Sequence, residues 1–182
     1  MRTSFKYLIF LFMIFNIISC NKSPENLLIR SAAEGNIEKV VFLLKEGVSV
    51  EAKDDLGYTA LMKAASNGQD DIVNLLLERK ANVNAITVFG TTALMQAAWN
   101  GHVKVVKLLL ENNADIHMQG AGGWNVLFFA VSSPQSNPEI VRFLLEKGLN
   151  PNMKDYISWT PIMWAGGNLE IVRILRQYGA QE

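Results

Sequence analysis

The sequence predicts an all-α solenoid of about five helix-turn-helix units with projecting β-hairpin loops, and three observations predict it. First, a block running from Asp54 to Ile86 recurs 33 residues later: Thr59-Ala60-Leu61-Met62 returns as Thr92-Ala93-Leu94-Met95, Ala64-Ala65 as Ala97-Ala98, and Leu75-Leu76-Leu77 as Leu108-Leu109-Leu110. Self-similarity at such a period marks stacked units rather than one globular core. Second, apolar residues fall at helical spacing on both sides of Asn67-Gly68 and Asn100-Gly101, so each block holds two short helices. Third, helices of that length are marginal alone in water, which obliges Leu61, Ala64, Ile72, Val73, Leu75 and Leu76 to be buried against neighbouring units.

Taken in order, the chain opens on Arg2 and Lys6 ahead of a run from Tyr7 to Ile18 that is apolar apart from Asn16. That run is about 12 residues against the ~20 needed to cross a bilayer, so residues 1–19 read as a cleaved signal peptide and not as a span. Ile17-Ile18-Ser19-Cys20 resembles a bacterial lipobox, with a small residue before the cut and a cysteine first in the mature chain. The resemblance implies a diacylglyceryl thioether on Cys20, further acylation of the palmitate kind, and a place in the bacterial envelope, facing the periplasm or the outer surface. Two or three acyl chains make such attachment stable, whereas one is marginal. Residues 20–25 are then a tether reaching at most ~18 Å beyond the lipid.

Units follow at about 26–53, 54–86, 87–119, 120–154 and 155–182. The first lacks the hairpin and the Thr-x-Leu opening and carries more charge, as a solvent-facing cap should. In the second, Thr59 is placed to cap the first helix, Asn67-Gly68 ends it, and Asp70 and Asp71 put negative charge at the start of the next, where the helix dipole favours it. The third repeats that pattern without gaps. The fourth spaces Ala130 and Val141 by 11 positions where Ala97 and Val106 are 9 apart, so two residues are inserted within Ser132 to Pro138, a tolerated surface turn with two prolines that prevent helix. The fifth opens on Trp159-Thr160-Pro161-Ile162, is shortened through Gly166-Gly167, and serves as the C-terminal cap.

These residues resemble the ankyrin repeat, whose consensus carries Gly-x-Thr-Pro-Leu-His, then Ala-Ala, a Gly-His turn, Ile-Val-x-Leu-Leu-Leu and Gly-Ala-Asp-Val-Asn. Gly57 to Met62 and Gly101-His102 through Asp115 carry the resemblance, with Met62, Met95, Phe128 and Met163 standing where the family usually has His. Apolar packing is expected to replace the hydrogen bond lost there.

Chemistry finds little purchase. The chain has 17 basic and 17 acidic residues, so its charge points neither to nucleic acid nor to an acidic substrate. Cys20 is the only cysteine, which excludes an internal disulfide. His102 belongs to the Gly-His turn, His117 has no partner at metal-ligand spacing, Asp54-Asp55 and Asp70-Asp71 read as loop and helix-start charge, and Gly120 to Gly123 lacks the Lys-Ser/Thr of a phosphate loop. No catalysis, metal or cofactor is expected. Large apolar residues instead occupy positions that the repeat leaves free. Tyr58, Trp124 and Trp159 form a ladder along the hairpins, and the resemblance assigns Leu56, Val88, Phe89, Trp99, Tyr156 and Ile157 to the same partner-binding groove and tips. Phe128 and Trp164, inside helices, read as packing. The expected function is membrane-anchored binding of another protein. The alternatives are an inhibitor, immunity or protective companion of a periplasmic enzyme or toxin, and a host-directed ankyrin effector.

Overall fold

A computed structural model describes residues 23–181, so the signal peptide expected over 1–19 and the lipidation expected at Cys20 lie outside the described residues. Among the described residues ten α-helices stand in five antiparallel pairs: α1 (Pro24–Glu34) with α2 (Ile37–Lys45), α3 (Ala60–Ser66) with α4 (Asp70–Glu78), α5 (Ala93–Trp99) with α6 (Val103–Glu111), α7 (Val126–Ser132) with α8 (Pro138–Glu146), and α9 (Pro161–Trp164) with α10 (Leu169–Gln177). The first helices of the pairs stack into an inner row and the second helices into an outer row. Alanines such as Ala64, Ala65, Ala97 and Ala98, all buried, let the inner helices approach more closely than the outer ones, which bends the stack toward its inner row.

Local signals set the helix ends. Thr59 and Thr92 each accept at Oγ1 from an N–H three residues on, Met62 and Met95, at 3.3 Å. Ser23 caps α1 by accepting from Asn26 N–H, and Pro24 takes the first helical position, so α1 starts two residues ahead of the expected unit boundary at residue 26. Pro138 likewise opens α8 behind the capping Asn137 rather than preventing helix, because the first position has no need of an N–H. The inserted turn is also less detached than a tolerated surface insertion would be. Ser133 Oγ donates to Trp99 C=O in the preceding unit, and Asn168 Nδ2 of the next unit donates to Ser136 Oγ at 3.4 Å.

The core is continuous from Leu28 to Leu175. At the four positions where the family usually has His, Met62, Met95 and Phe128 are no more than 1% exposed, while Met163 is 45% exposed. Apolar packing thus replaces the hydrogen bond at the first three of these positions. Leu75 and Leu108 are half-buried instead of buried, because the outer-helix residue facing the core is the one after each: Leu76 and Leu109 are both fully buried.

Hairpin loops join the units as tight turns, with no strand among the described residues and a single isolated bridge, Lys53 to Thr59. Each turn closes the same way: Asp54, Thr87, Gly120 and Asp155 donate their N–H to the carbonyl of Tyr58, Thr91, Trp124 and Trp159 at 2.9–3.1 Å. Successive turns also pair with one another, Val88 N–H to Leu56 C=O, Ala121 N–H to Phe89 C=O and Tyr156 N–H to Gly122 C=O. Gly90 and Gly120 permit the middle approach, since a Cβ on Gly90 would stand 3.0 Å from Gly120 Cα. At the opposite edge Glu51, Asn84 and Asn152 accept from the N–H of Asn82, Asp115 and Gln181 in the following unit.

Stability should therefore sum over units and interfaces. Leu109→Ala, with units on both sides, is expected to cost ~2–5 kcal/mol in chemical denaturation, and Leu175→Ala in the last unit less. Equal losses would contradict nearest-neighbour stacking.

Candidate interaction surface

The inner helices and hairpins of the last three units are almost free of charge. Residues 87–100 and 120–137 contain no Asp, Glu, Lys or Arg, and residues 155–168 contain only Asp155, which is buried. Charge lies on the outer helices, where Lys104 pairs with Asp70 and Lys107 with Glu139 across unit boundaries. The N-terminal half of the inner face differs: a shallow cleft of about 400 Å³ there is lined by Arg30, Asp54, Asp55, Leu56 and Lys63.

Five aromatic rings run along the uncharged part. Trp99 meets Phe129 edge-on at 6.2 Å, Phe129 meets Trp124 at 5.7 Å, Trp124 meets Trp164 at 4.6 Å, and Trp164 meets Trp159 at 5.0 Å. Phe128 stacks on Trp124 from the core side at 5.8 Å and 17°. Such pairs add ~0.5–1.5 kcal/mol each beyond their burial.

Asp155 holds the end of this series. Its Oδ1 accepts from Ile157 and Trp159 N–H at 3.0 and 2.8 Å, closing the last hairpin, and its Oδ2 accepts Nε1–H from Trp124 at 3.2 Å and from Trp164 at 2.9 Å. Asp54 and Thr87 make the first half of this arrangement in their own hairpins, but only Asp155 reaches an indole. Burial opposes ionisation of Asp155, yet the hydrogen bonds from Trp159, Trp164, Trp124 and Ile157 outweigh it and hold the carboxyl below its ordinary value.

The residues expected to bind a partner separate into two groups. Leu56, Val88, Phe89, Tyr156, Ile157 and Trp159 are exposed, on the hairpin tips or beside them. Tyr156, the most open of them at 78%, lies along Gly123, where a Cβ would come within 2.7 Å of its ring. Tyr58, Trp99 and Trp124 are half-buried. Tyr58 carries Lys63 Nζ of its own unit 3.6 Å above its ring centre, and Trp124 is committed to Phe128, Phe129, Trp164 and Asp155, so Trp124 glues its unit to the next more than it projects. Phe128 is core, as its helical position implied, whereas Trp164 is half-buried and belongs to the aromatic series.

Phe129, Met163 and Asp155 were not among the expected site residues. Phe129 was visible in register, since it replaces Lys63 and Gln96 at a position that faces the inner surface. His102, expected to be structural, sets Nε2 3.0 Å from Ser66 C=O in the preceding unit. No group of three or more His, Cys, Asp or Glu that could hold a metal ion occurs among the described residues.

A family model described as Ankyrin repeats (3 copies) matches residues 4–87, 28–120 and 94–182, and the chain belongs to the ankyrin-repeat family. Repeats of this kind are generally protein-protein interaction modules rather than catalysts. Comparison with curated proteins gives no match. The first of the matched stretches reaches into the apolar N-terminal run.

The lowered Asp155 value fixes the sign of an acid effect. Folding favours its carboxylate, so the stabilisation is present above the unfolded value near ~4 and is lost as pH falls through the lower folded value. Tryptophan emission should change in that acid range. Asp155→Asn should lower the melting temperature at pH 7, because its amide nitrogen cannot accept the two indole donors, and should abolish the acid-range change.

Proposed function

We propose that this chain is a bacterial envelope lipoprotein, anchored through lipid on Cys20, whose ankyrin solenoid binds another protein on its inner face and hairpin tips. The observation that carries the reading is the inner surface of the last three units, free of charge but for the buried Asp155, with its aromatic series and the exposed Val88, Phe89, Tyr156, Ile157 and Trp159 beside it. Rigid aromatic side chains bordered by apolar neighbours suit the few anchor positions that supply most interface energy. The carboxylate in the region is fully engaged, so an apolar partner segment can lie there without leaving a buried charge unpaired. Among the described residues no helix is long and apolar enough to cross a membrane.

Two measurements test the two halves separately. Palmitate should label the wild-type protein and not Cys20→Ser, and the variant should leave the membrane fraction; a variant that fractionates unchanged rejects the anchor. With a partner captured from envelope extract, Phe89→Ala and Trp159→Ala should each weaken binding by ~30-fold, the equivalent of 2 kcal/mol at an anchor position. Trp124→Ala is a poorer probe because it also loosens the fold. Lys107 is a poor control, since it pairs with Glu139 across a unit boundary; Arg142→Ala on α8 should leave binding unchanged. Loss of binding in Arg142→Ala with none in the other two would move the site to the outer face.

A further inference from the structure

One register position runs the length of the inner row and changes chemistry along it. Arg30, Lys63, Gln96, Phe129 and Trp164 occupy the same place in successive units, the last four each standing four residues after a capping residue, Thr59, Thr92, Asn125 or Thr160. The inner surface therefore passes from two cations through an amide to two aromatic rings. Arg30 already shares its charge with Glu34, to which its Nε–H donates at 2.6 Å. Lys63 does not: its half-buried ammonium lies over the Tyr58 ring and pairs with no carboxylate among the described residues.

The shallow cleft beside Lys63 takes the place of a hairpin. Residues 21–25 are in register with the turn from Asp54 to Tyr58, but Glu25, in the place of Tyr58, is committed to α1. Val88, Ala121 and Tyr156 each donate their N–H to the preceding hairpin, whereas Asp55, their counterpart in the second unit, meets no acceptor among the described residues. Of the acids lining the cleft, Asp54 is held at Oδ1 by the N–H of Leu56 and Tyr58, and Asp55 is open to solvent.

We propose that the segment bound on the inner face is an extended stretch of polypeptide that seats one acidic side chain, Asp or Glu, on Lys63 and lays an aromatic or branched apolar side chain against Phe129 and Trp99. This rests on the reading that the inner face binds another protein, and it specifies what that protein must offer. Two desolvation conditions fix the chemistry. A segment lying in the groove covers Lys63, and an ammonium taken out of water without a counter-charge is costly, so the segment must bring the anion. Residues 87–100 and 120–137 contain no Asp, Glu, Lys or Arg, so a charge carried over them would go unpaired in its turn. The segment is thus acidic where it meets the second unit and uncharged from there on, which gives it one direction of travel. A carbonyl of its extended backbone can take the free Asp55 N–H as each hairpin takes the next. Neighbouring helices pack ~8–10 Å apart, so the two units from Lys63 to Phe129 span roughly 16–20 Å, or about five or six residues of extended chain.

The test is selection from a random-peptide phage library on the full chain in mild detergent, with Lys63→Glu and Lys63→Gln selected in parallel. Wild type should enrich peptides with Asp or Glu about five or six positions from an aromatic or branched apolar residue. A selected peptide should bind ~10-fold less when its acid is replaced by the amide. Lys63→Glu should reverse the preference to Lys or Arg at that position, and Lys63→Gln should remove it while keeping the apolar one. Lys63 lies outside the apolar core, and Lys63→Gln alone decides the outcome if Lys63→Glu does not fold. Enrichment without an acid, or an acidic preference that Lys63→Gln keeps, overturns the proposal. If such peptides still lose binding in Phe89→Ala and Trp159→Ala, the inner-face reading stands without it. A library from which nothing is enriched rejects both.

Discussion

A unit built from an inner helix of at most eleven residues and an outer helix of nine cannot cover its own apolar face, and the rest of the architecture follows from that shortage. Exposure at one repeated position measures it directly. Met62, Met95 and Phe128 are sealed by the next unit, while Met163, in the last described unit, is 45% open to water. Stability is therefore a property of boundaries, and two of the four, second to third and fourth to fifth, are tied at three heights. The hairpins pair through backbone N–H and C=O, the inner helices pack through alanines, and the loops behind the outer helices are crossed by Glu51, Asn84 and Asn152.

The boundary between the fourth and fifth units carries the heaviest side-chain chemistry because its backbone is the least regular. The fourth hairpin opens on Gly120, which has no side chain to close the turn as Asp54, Thr87 and Asp155 do, and Gly122-Gly123 lets it fold tightly. The helix that follows the next hairpin, α9, has only four residues, and its capping Thr160 makes no side-chain cap hydrogen bond. Asp155 offsets both weaknesses. One carboxylate oxygen sets the hairpin and the other draws Trp124 and Trp164 together across the boundary. A carboxylate with four N–H donors is a strong, directional tie, whereas its protonated form forfeits part of that set.

Much of this was legible in the sequence, for a physical reason: a repeat states each packing position several times. The helix pairs, the Thr59 cap, the break at Asn67-Gly68 and the charges of Asp70 and Asp71 at the start of α4 could all be read because spacing alone determines them. What spacing does not determine is which side of a ring faces a neighbour. Tyr58, Trp124 and Trp159 share one register position, yet Trp124 is packed among Phe128, Phe129 and Trp164 of the following unit while Trp159, in the last described unit, is exposed. The triple Leu75-Leu76-Leu77 misled in the same way, since three consecutive leucines cannot all point inward and only the turn of the helix selects among them. Asp155 was invisible as a tie because its indole partners come from 31 residues before it and 9 after.

The ends of the stack bear on how its surfaces can be used together. The first unit, which carries Lys39, follows the proposed tether in sequence, and the exposed Val88, Phe89, Tyr156, Ile157 and Trp159 are set further along the solenoid. Val88 and Phe89 lie two units beyond the first, Tyr156, Ile157 and Trp159 four, and Met163 and Leu169 at the far end. That order keeps the exposed apolar tips away from the charged first unit, so an apolar partner segment can lie on them without desolvating the Arg30–Glu34 ion pair.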